Sequence, residues 1–385
     1  MLNRTRIAAA LCLGLCPCLG LFGAAAATAN APKAARSAES NVDWPSRLNE
    51  ARRRAIEQIV VSSGSEDAFL RANAMEACEH LDPDRALPLL HLGMDDDQVP
   101  VQFAALATVG KLKRMDMVAS VRRHEGAESR YVRAATLFAL QQCGQDVDLS
   151  PLAGMLRSTD PALRGSVATL IGMMGDASAV EMLKQVARLP SPETASPVSG
   201  VLARMQIAEA LVRLGDDSVL SSVRWGLYSN YHEVRVLSTT MLGRIGDQKM
   251  EEAFFDALQD DRNAMELRLA AMDALCRMAR TIEVIGEALV SEQMVLGASR
   301  SDQFLIRSQA AHTMGTMESA RRRALAYLDT LPEPPPHRSA LAQRMGTARV
   351  LLALLDDRAE QVRLSAAVAI LGVHPTQGAT VVAGP

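Results

Sequence analysis

The sequence predicts an all-α chain built as an α-solenoid, and three observations carry that prediction. Arg71, Gln102, Arg133 and Arg164 stand 31 residues apart, each preceded by an aliphatic residue (Leu70, Val101, Val132, Leu163). A fixed period of that length marks a stacked array of helix-pair units. Around each marker, apolar residues recur at offsets of −1, +3, +4 and +7, which lie on one face of a helix. Gly175-Asp176, Gly215-Asp216 and Gly246-Asp247 follow the marker helices, where a left-handed glycine closes one helix and an aspartate opens the next. Two antiparallel helices per unit, each unit burying its stripe against its neighbour, make a solenoid.

Taken from the N-terminus, Arg4 and Arg6 precede an apolar run from Ile7 to Ala27 that ends in small residues, so 1–29 reads as a signal peptide with cleavage before Asn30. An uncleaved membrane anchor is the alternative, since about 20 apolar residues can span a bilayer. Cys16 and Cys18 follow Leu15 and Pro17, which is not the small-residue setting of a lipidation site. The Ala- and Ser-rich stretch 30–43 reads as a flexible tether, and 44–373 as the solenoid. Leu48 to Val61, with Arg52-Arg53-Arg54, opens it as an N-terminal capping helix.

The marker column continues through Arg204, Arg235, Arg268, Arg307 and Arg363. Seven residues on stand Cys78, Val109, Leu140, Ile171, Leu211, Leu242, Leu275, Met314 and Ile370; four on stand Met75, Leu106, Leu137, Ala168, Ala208, Thr239, Met272, Ala311 and Ala367. The second helix of each unit presents Leu90, Val121, Leu152, Leu183, Val223 or Phe254, 19 past its marker. The steps lengthen to 40 residues at Arg204, 39 at Arg307 and 56 at Arg363. The first of these holds Pro190, Pro192 and Pro197 and the last holds Pro332-Glu333-Pro334-Pro335-Pro336, segments that interrupt helix. A helical stretch from Ser339 to Leu355 follows, and 374–385 reads as a disordered tail.

Asp160-Pro161-Ala162-Leu163-Arg164, running through Ala168, Leu170 and Gly172 to Gly175-Asp176, resembles the short HEAT repeat of the phycobilisome-lyase type. Tyr231-His232-Glu233-Val234-Arg235 with Leu242-Gly243 and Gly246-Asp247 repeats the pattern, as does Val362-Arg363 with Ala366-Ala367 and Leu371-Gly372. The resemblance covers residues 66 to 372 and implies a scaffold arginine that bonds near the turn of an adjacent repeat. Two enzymatic relatives come with it. A di-iron hydroxylase on this scaffold carries its His-Glu pairs directly after the marker, whereas Ala134-Ala135, Gly165-Ser166 and Val236-Leu237 stand there and His124-Glu125 and His232-Glu233 come ahead of it. A phycobilin lyase shares the repeats, but an exported chain is separated from cytosolic phycobiliproteins.

Composition narrows the classes further. Without the leader, 39 basic residues face 44 acidic ones, a net charge of −5, which is no footprint for nucleic acid. Cys78, Cys143 and Cys276 remain, too few and too scattered for a disulfide framework or a zinc site; Cys78 and Cys276 fall on apolar helix faces. No metal or cofactor is expected. Acidic runs (Asp95-Asp96-Asp97, Asp216-Asp217, Asp260-Asp261, Asp356-Asp357) recur at turns, where capping accounts for them.

One constellation points to binding. At 20 and 21 past the marker come Arg122 and Arg123, Lys184, Arg224 and Trp225, and Phe255. On the expectation that second helices line the concave surface, these form a basic stripe with aromatics at one end, suited to an acidic, partly apolar peptide of a protein partner. The sequence therefore reads as an exported, periplasmic or extracellular, non-catalytic HEAT-type scaffold. An enzyme on the same scaffold and a purely structural envelope component are the alternatives.

Overall fold

The computed structural model describes residues 44–189, 197–330 and 346–373. The expected signal peptide, tether, proline-rich interruptions and tail lie outside these residues, except Pro197, which opens a helix, a first-turn position that proline tolerates. Those described form 19 α-helices with short 3-10 turns and no β-strand. The helices are α1 (Trp44–Ser63), α2 (Ala68–Ala77), α3 (Pro83–Met94), α4 (Val99–Lys111), α5 (Val118–Arg122), α6 (Arg130–Gln142), α7 (Ser150–Leu156), α8 (Pro161–Met174), α9 (Val180–Ala187) and α10 (Pro197–Arg213). They continue with α11 (Leu220–Trp225), α12 (His232–Ile245), α13 (Glu251–Gln259), α14 (Met265–Met278), α15 (Ile282–Val290), α16 (Glu292–Ala298), α17 (Phe304–Leu328), α18 (Gly346–Leu354) and α19 (Glu360–Leu371). Of the described residues, one compact unit holds 60–250, and the other joins 44–59 with those from Glu251 onward.

In the first unit the repeat is the one the spacing predicts. Val101, Val132, Leu163 and Ala203, each preceding a marker, are buried, as are Val109, Leu140 and Leu211 seven past it and Leu90, Val121, Leu152, Leu183 and Val223 on the short helices. Leu137 in this unit, and Ile370 in the other, are only half-buried, because their helices turn that edge toward solvent. Gly175, Gly215 and Gly246 adopt φ of 78°, 89° and 78°, the left-handed closure that a side chain resists. Asp176 and Asp216 then accept the N–H groups of Ser178 and Ser218 at 2.9 and 3.1 Å.

Marker helices pack directly on one another, α4 on α6 and α8 on α10, while the short helices pack mainly on marker helices and scarcely on each other. The cause is side-chain size. A Cβ built on Gly172 of α8 would stand 2.7 Å from the Ala210 Cα of α10, so these backbones meet where larger residues would hold them apart. Within this unit the marker helices are the closely packed layer and the short helices the more widely spaced one.

Polar rungs fix the register. Arg71 donates from Nε and Nη2 to both oxygens of Asp96 at 2.8 and 2.9 Å, and from Nη1 to the Ser65 carbonyl at 2.8 Å. In the second unit Arg307 grips Asp357 through two bonds of 2.8 Å and the Ser301 carbonyl at 2.8 Å. Each aspartate stands six residues before the following marker.

The second unit holds two features that the repeat spacing does not show. The marker helix of Arg307 continues for 25 residues as α17, burying Arg321 against Glu292 of α16 at 3.1 Å and Thr347 of α18 at 3.3 Å. Of the helical stretch expected from Ser339, the described part is α18. The N-terminal helix α1 also lies against the last repeat: Arg54 pairs with Asp356, and Arg363 donates to Gln58 at 3.1 Å. Gln58 offers Arg363 a side-chain oxygen as Asp357 does Arg307. Ala51, Ala55 and Ile59, one helical turn apart, are buried along this helix.

Leu140→Ala should lower the unfolding free energy by about 2–5 kcal/mol as a buried truncation, and Gly172→Ala should lower it by forcing α8 from α10; chemical denaturation checks both. Asp357 supplies a pH test. Burial opposes its charge, but the Arg307 fork and the Ala359 N–H outweigh burial and hold the carboxyl below its ordinary value of 3.8. A folded-state value below the unfolded one contributes stability above the unfolded value and loses it as pH falls through the folded one. Asp357→Asn should therefore unfold more readily at neutral pH, by about 3–5 kcal/mol for a broken buried pair. It should also lose less further stability than the parent below pH ~4.

Candidate partner-binding surface

The cations singled out by their phase at 20 past the marker all reach the next repeat. Arg122 donates to Glu125 on its own turn and to Gln145 of the following repeat, both at 2.9 Å. Lys184 lies 2.9 Å from Asp216 and 3.6 Å from Glu181. Arg224 holds Asp247 with two bonds of 2.6 and 3.0 Å. Gln145, Asp216 and Asp247 each stand 12 past their own marker, so the column is a second set of inter-repeat rungs. The titration shifts agree with this. Donating to Asp216 raises Lys184, donating to Asp247 raises Arg224, and the bonds Asp216 accepts from Ser218 and Lys184 lower it. Arg123, at 21 past, makes a longer contact of 3.4 Å back to Asp95 and stays exposed.

The aromatic members of the set separate. Phe255 belongs to the second unit and is half-buried beside the fully buried Phe254. Trp225 ends α11 in the first unit and is 74% exposed, with Tyr228 at 69% and Tyr231 at 54%. Trp225 and Tyr228 meet edge to face, with centroids 6.2 Å apart and planes at 67°. Sequence reasoning found Trp225 and missed both tyrosines. A signal was present: the chain has two Trp and four Tyr, and three of these six fall within 225–231.

The remaining chemistry-bearing groups are held by the scaffold. Cys78 and Cys276 are fully buried, and burial pushes both thiols up to about 12. Cys143 is buried too. Burial lowers His124, which lies 3.8 Å from Asp95. Asp96, Asp260 and Asp357 each accept the backbone N–H two residues on, which is the turn-capping role expected of the acidic runs. In the second unit Asp273 is buried between Arg277 at 2.7 Å, the Thr316 hydroxyl at 2.5 Å and His312 at 3.5 Å. Among the described residues no three His, Cys, Asp or Glu side chains come together as metal ligands, and no helix is long and apolar enough to cross a membrane.

Arg224→Ala should lower the melting temperature more than Arg123→Ala. The first leaves the buried Asp247 carboxylate without its fork, whereas the second breaks an exposed contact of the kind that contributes little. Thermal unfolding followed by circular dichroism checks the order.

No protein-family model matches the chain, and no curated protein matches it. Solved structures do. The complex of CpcE and CpcF of phycocyanin lyase from Nostoc is 17% identical, with a TM-score of 0.40 over 70% of this chain and 98% of that one. Human deoxyhypusine hydroxylase is 19% identical, with a TM-score of 0.29 over 69% of this chain and 98% of that one. Kap121p bound to Nup53p is 14% identical, with a TM-score of 0.34 over 86% of this chain and 43% of that one. Scores of this size carry no functional argument. On the register of its own stacked helix pairs, the described chain is an all-α solenoid.

Proposed function

We propose that the chain is an exported, non-catalytic scaffold that binds a protein partner, with Trp225 at the centre of the contact. The carrying observation is the exposure of Trp225 and Tyr228 as an edge-to-face pair, with Tyr231 three residues on. Exposed aromatics of this kind supply large contact area at little cost in side-chain freedom and recur as anchors of protein interfaces. The rungs of Arg122, Lys184 and Arg224 lend the same layer of short helices partly exposed positive charge, with Arg123 beside them. Export rests on Arg4, Arg6 and the apolar run behind them. N-terminal sequencing of the native protein should begin near Asn30, and an intact Met1 on a cytosolic species would reopen the lyase reading.

Trp225→Ala should weaken the partner's binding by about 2 kcal/mol or more, carried by faster dissociation. Arg122→Glu or Lys184→Glu should instead slow association in a salt-dependent way. Surface plasmon resonance against the captured partner separates the two effects, and unchanged binding after Trp225→Ala in a folded protein would remove this surface from the interface.

A further inference from the structure

The short helices of the first unit carry a second column, four residues beyond the rungs of Arg122, Lys184 and Arg224. At 24 past the marker the chain holds Asp95, Gly126, Arg157, Arg188 and Tyr228. Arg157 closes α7 and Arg188 closes α9, each through its backbone N–H, and both side chains are exposed. Among the described residues neither side chain makes a hydrogen bond or an ion pair, whereas the rungs all reach the next repeat. Stacking accounts for the rungs and gives these two arginines no scaffold role. No acid lies on α7, and the acid of α9, Glu181, stands 3.6 Å from Lys184.

One contact shows what this column faces. Arg123, 21 past its own marker, meets Asp95, 24 past the marker before it, at 3.4 Å, so position 24 of one repeat adjoins position 21 of the next. The alignment continues along the unit, because Arg122 with Gln145, Lys184 with Asp216 and Arg224 with Asp247 each join 20 past one marker to 12 past the next. The middle pair crosses the 40-residue step, so the longer connection leaves the register unchanged. Helices α7 and α9 themselves touch. In this register Arg157 adjoins Gln185, and Arg188 adjoins Trp225, whose exposed ring packs on Tyr228.

We infer that Arg157, Arg188 and the pair of Trp225 and Tyr228 form a track for an extended acidic segment of a protein partner, two carboxylates taking the arginines and an apolar side chain the rings. This rests on the partner-binding reading above and adds the chemistry and spacing of the occupant. A guanidinium fork recognises a carboxylate through two parallel bonds, while exposed rings contact an apolar flank. Packed helices lie about 10 Å apart and an extended chain advances about 3.3 Å per residue, so arginines in consecutive repeats call for acids about three residues apart. The apolar residue follows the acid that meets Arg188.

The test uses the mature chain, immobilised and panned with a displayed library of random dodecapeptides, and the enriched sequences synthesised with a fluorophore. Enriched peptides should carry two acids about three residues apart with an apolar residue beyond one of them. Their affinity by fluorescence polarisation should fall about tenfold or more on Arg157→Gln, on Arg188→Gln and on Trp225→Ala, and hold on Arg85→Gln, an exposed arginine of α3. Making the two acids of an enriched peptide adjacent should weaken it to a similar degree. Acidic peptides that bind Arg157→Gln and Arg188→Gln as tightly as the parent, or that ignore the spacing of their acids, overturn the track. Peptides without acids that weaken only on Trp225→Ala also overturn it and leave the partner-binding scaffold in place. Absence of any enriched peptide overturns the partner-binding reading together with the track.

Discussion

Close approach of the marker helices is the constraint on which the first unit depends. Gly172 against Ala210, and Gly110 against Ala139, leave no room for larger side chains, so neighbouring backbones come near enough for the Arg-to-Asp rung to span from one helix to the next turn. The rung in turn sets the register: Arg71 can reach Asp96 only when the repeats are aligned so that Val101 and Leu70 face the core. Apolar burial supplies most of the stabilisation, and the charged rung chooses which of several sliding alignments is kept. A buried pair is often no more stabilising than an apolar one, but its removal leaves a charge stranded.

The second set of rungs changes how the basic residues are to be understood. On sequence alone, Arg122, Lys184 and Arg224 share a phase, and a shared phase on a helix exposed to solvent suggests a binding stripe. In three dimensions the same phase is what lets each of them meet the residue 12 past the next marker. Periodicity in a repeat protein is first a consequence of contacts between repeats, and a periodic charge has a scaffold role open to it before any other. Departures from the period are the better pointers to a ligand, because stacking gives no reason for them. Trp225 breaks a column that elsewhere holds Leu92, Arg123, Gly154, Gln185 and Asp256, none of them aromatic.

Much of the fold was legible because it depends on residue type at fixed spacing. The columns containing Val132, Leu140 and Leu183, and the glycines at 175, 215 and 246, each follow from a rule that acts over a few residues. What stayed hidden depends on contacts between distant parts of the chain. The alignment of α1 with the last repeat is set by Gln58 and Arg54 meeting residues about 300 positions away, and no local pattern encodes such a meeting. Which layer stacks closely was hidden for a related reason. The short helices and the marker helices both show an apolar stripe, and only the small residues at positions such as 172 and 210 tell which layer stacks closely. For the site, the notable residues were visible but their pairing was not. Arg224 and Trp225 are adjacent in sequence, yet one faces Asp247 and the other solvent.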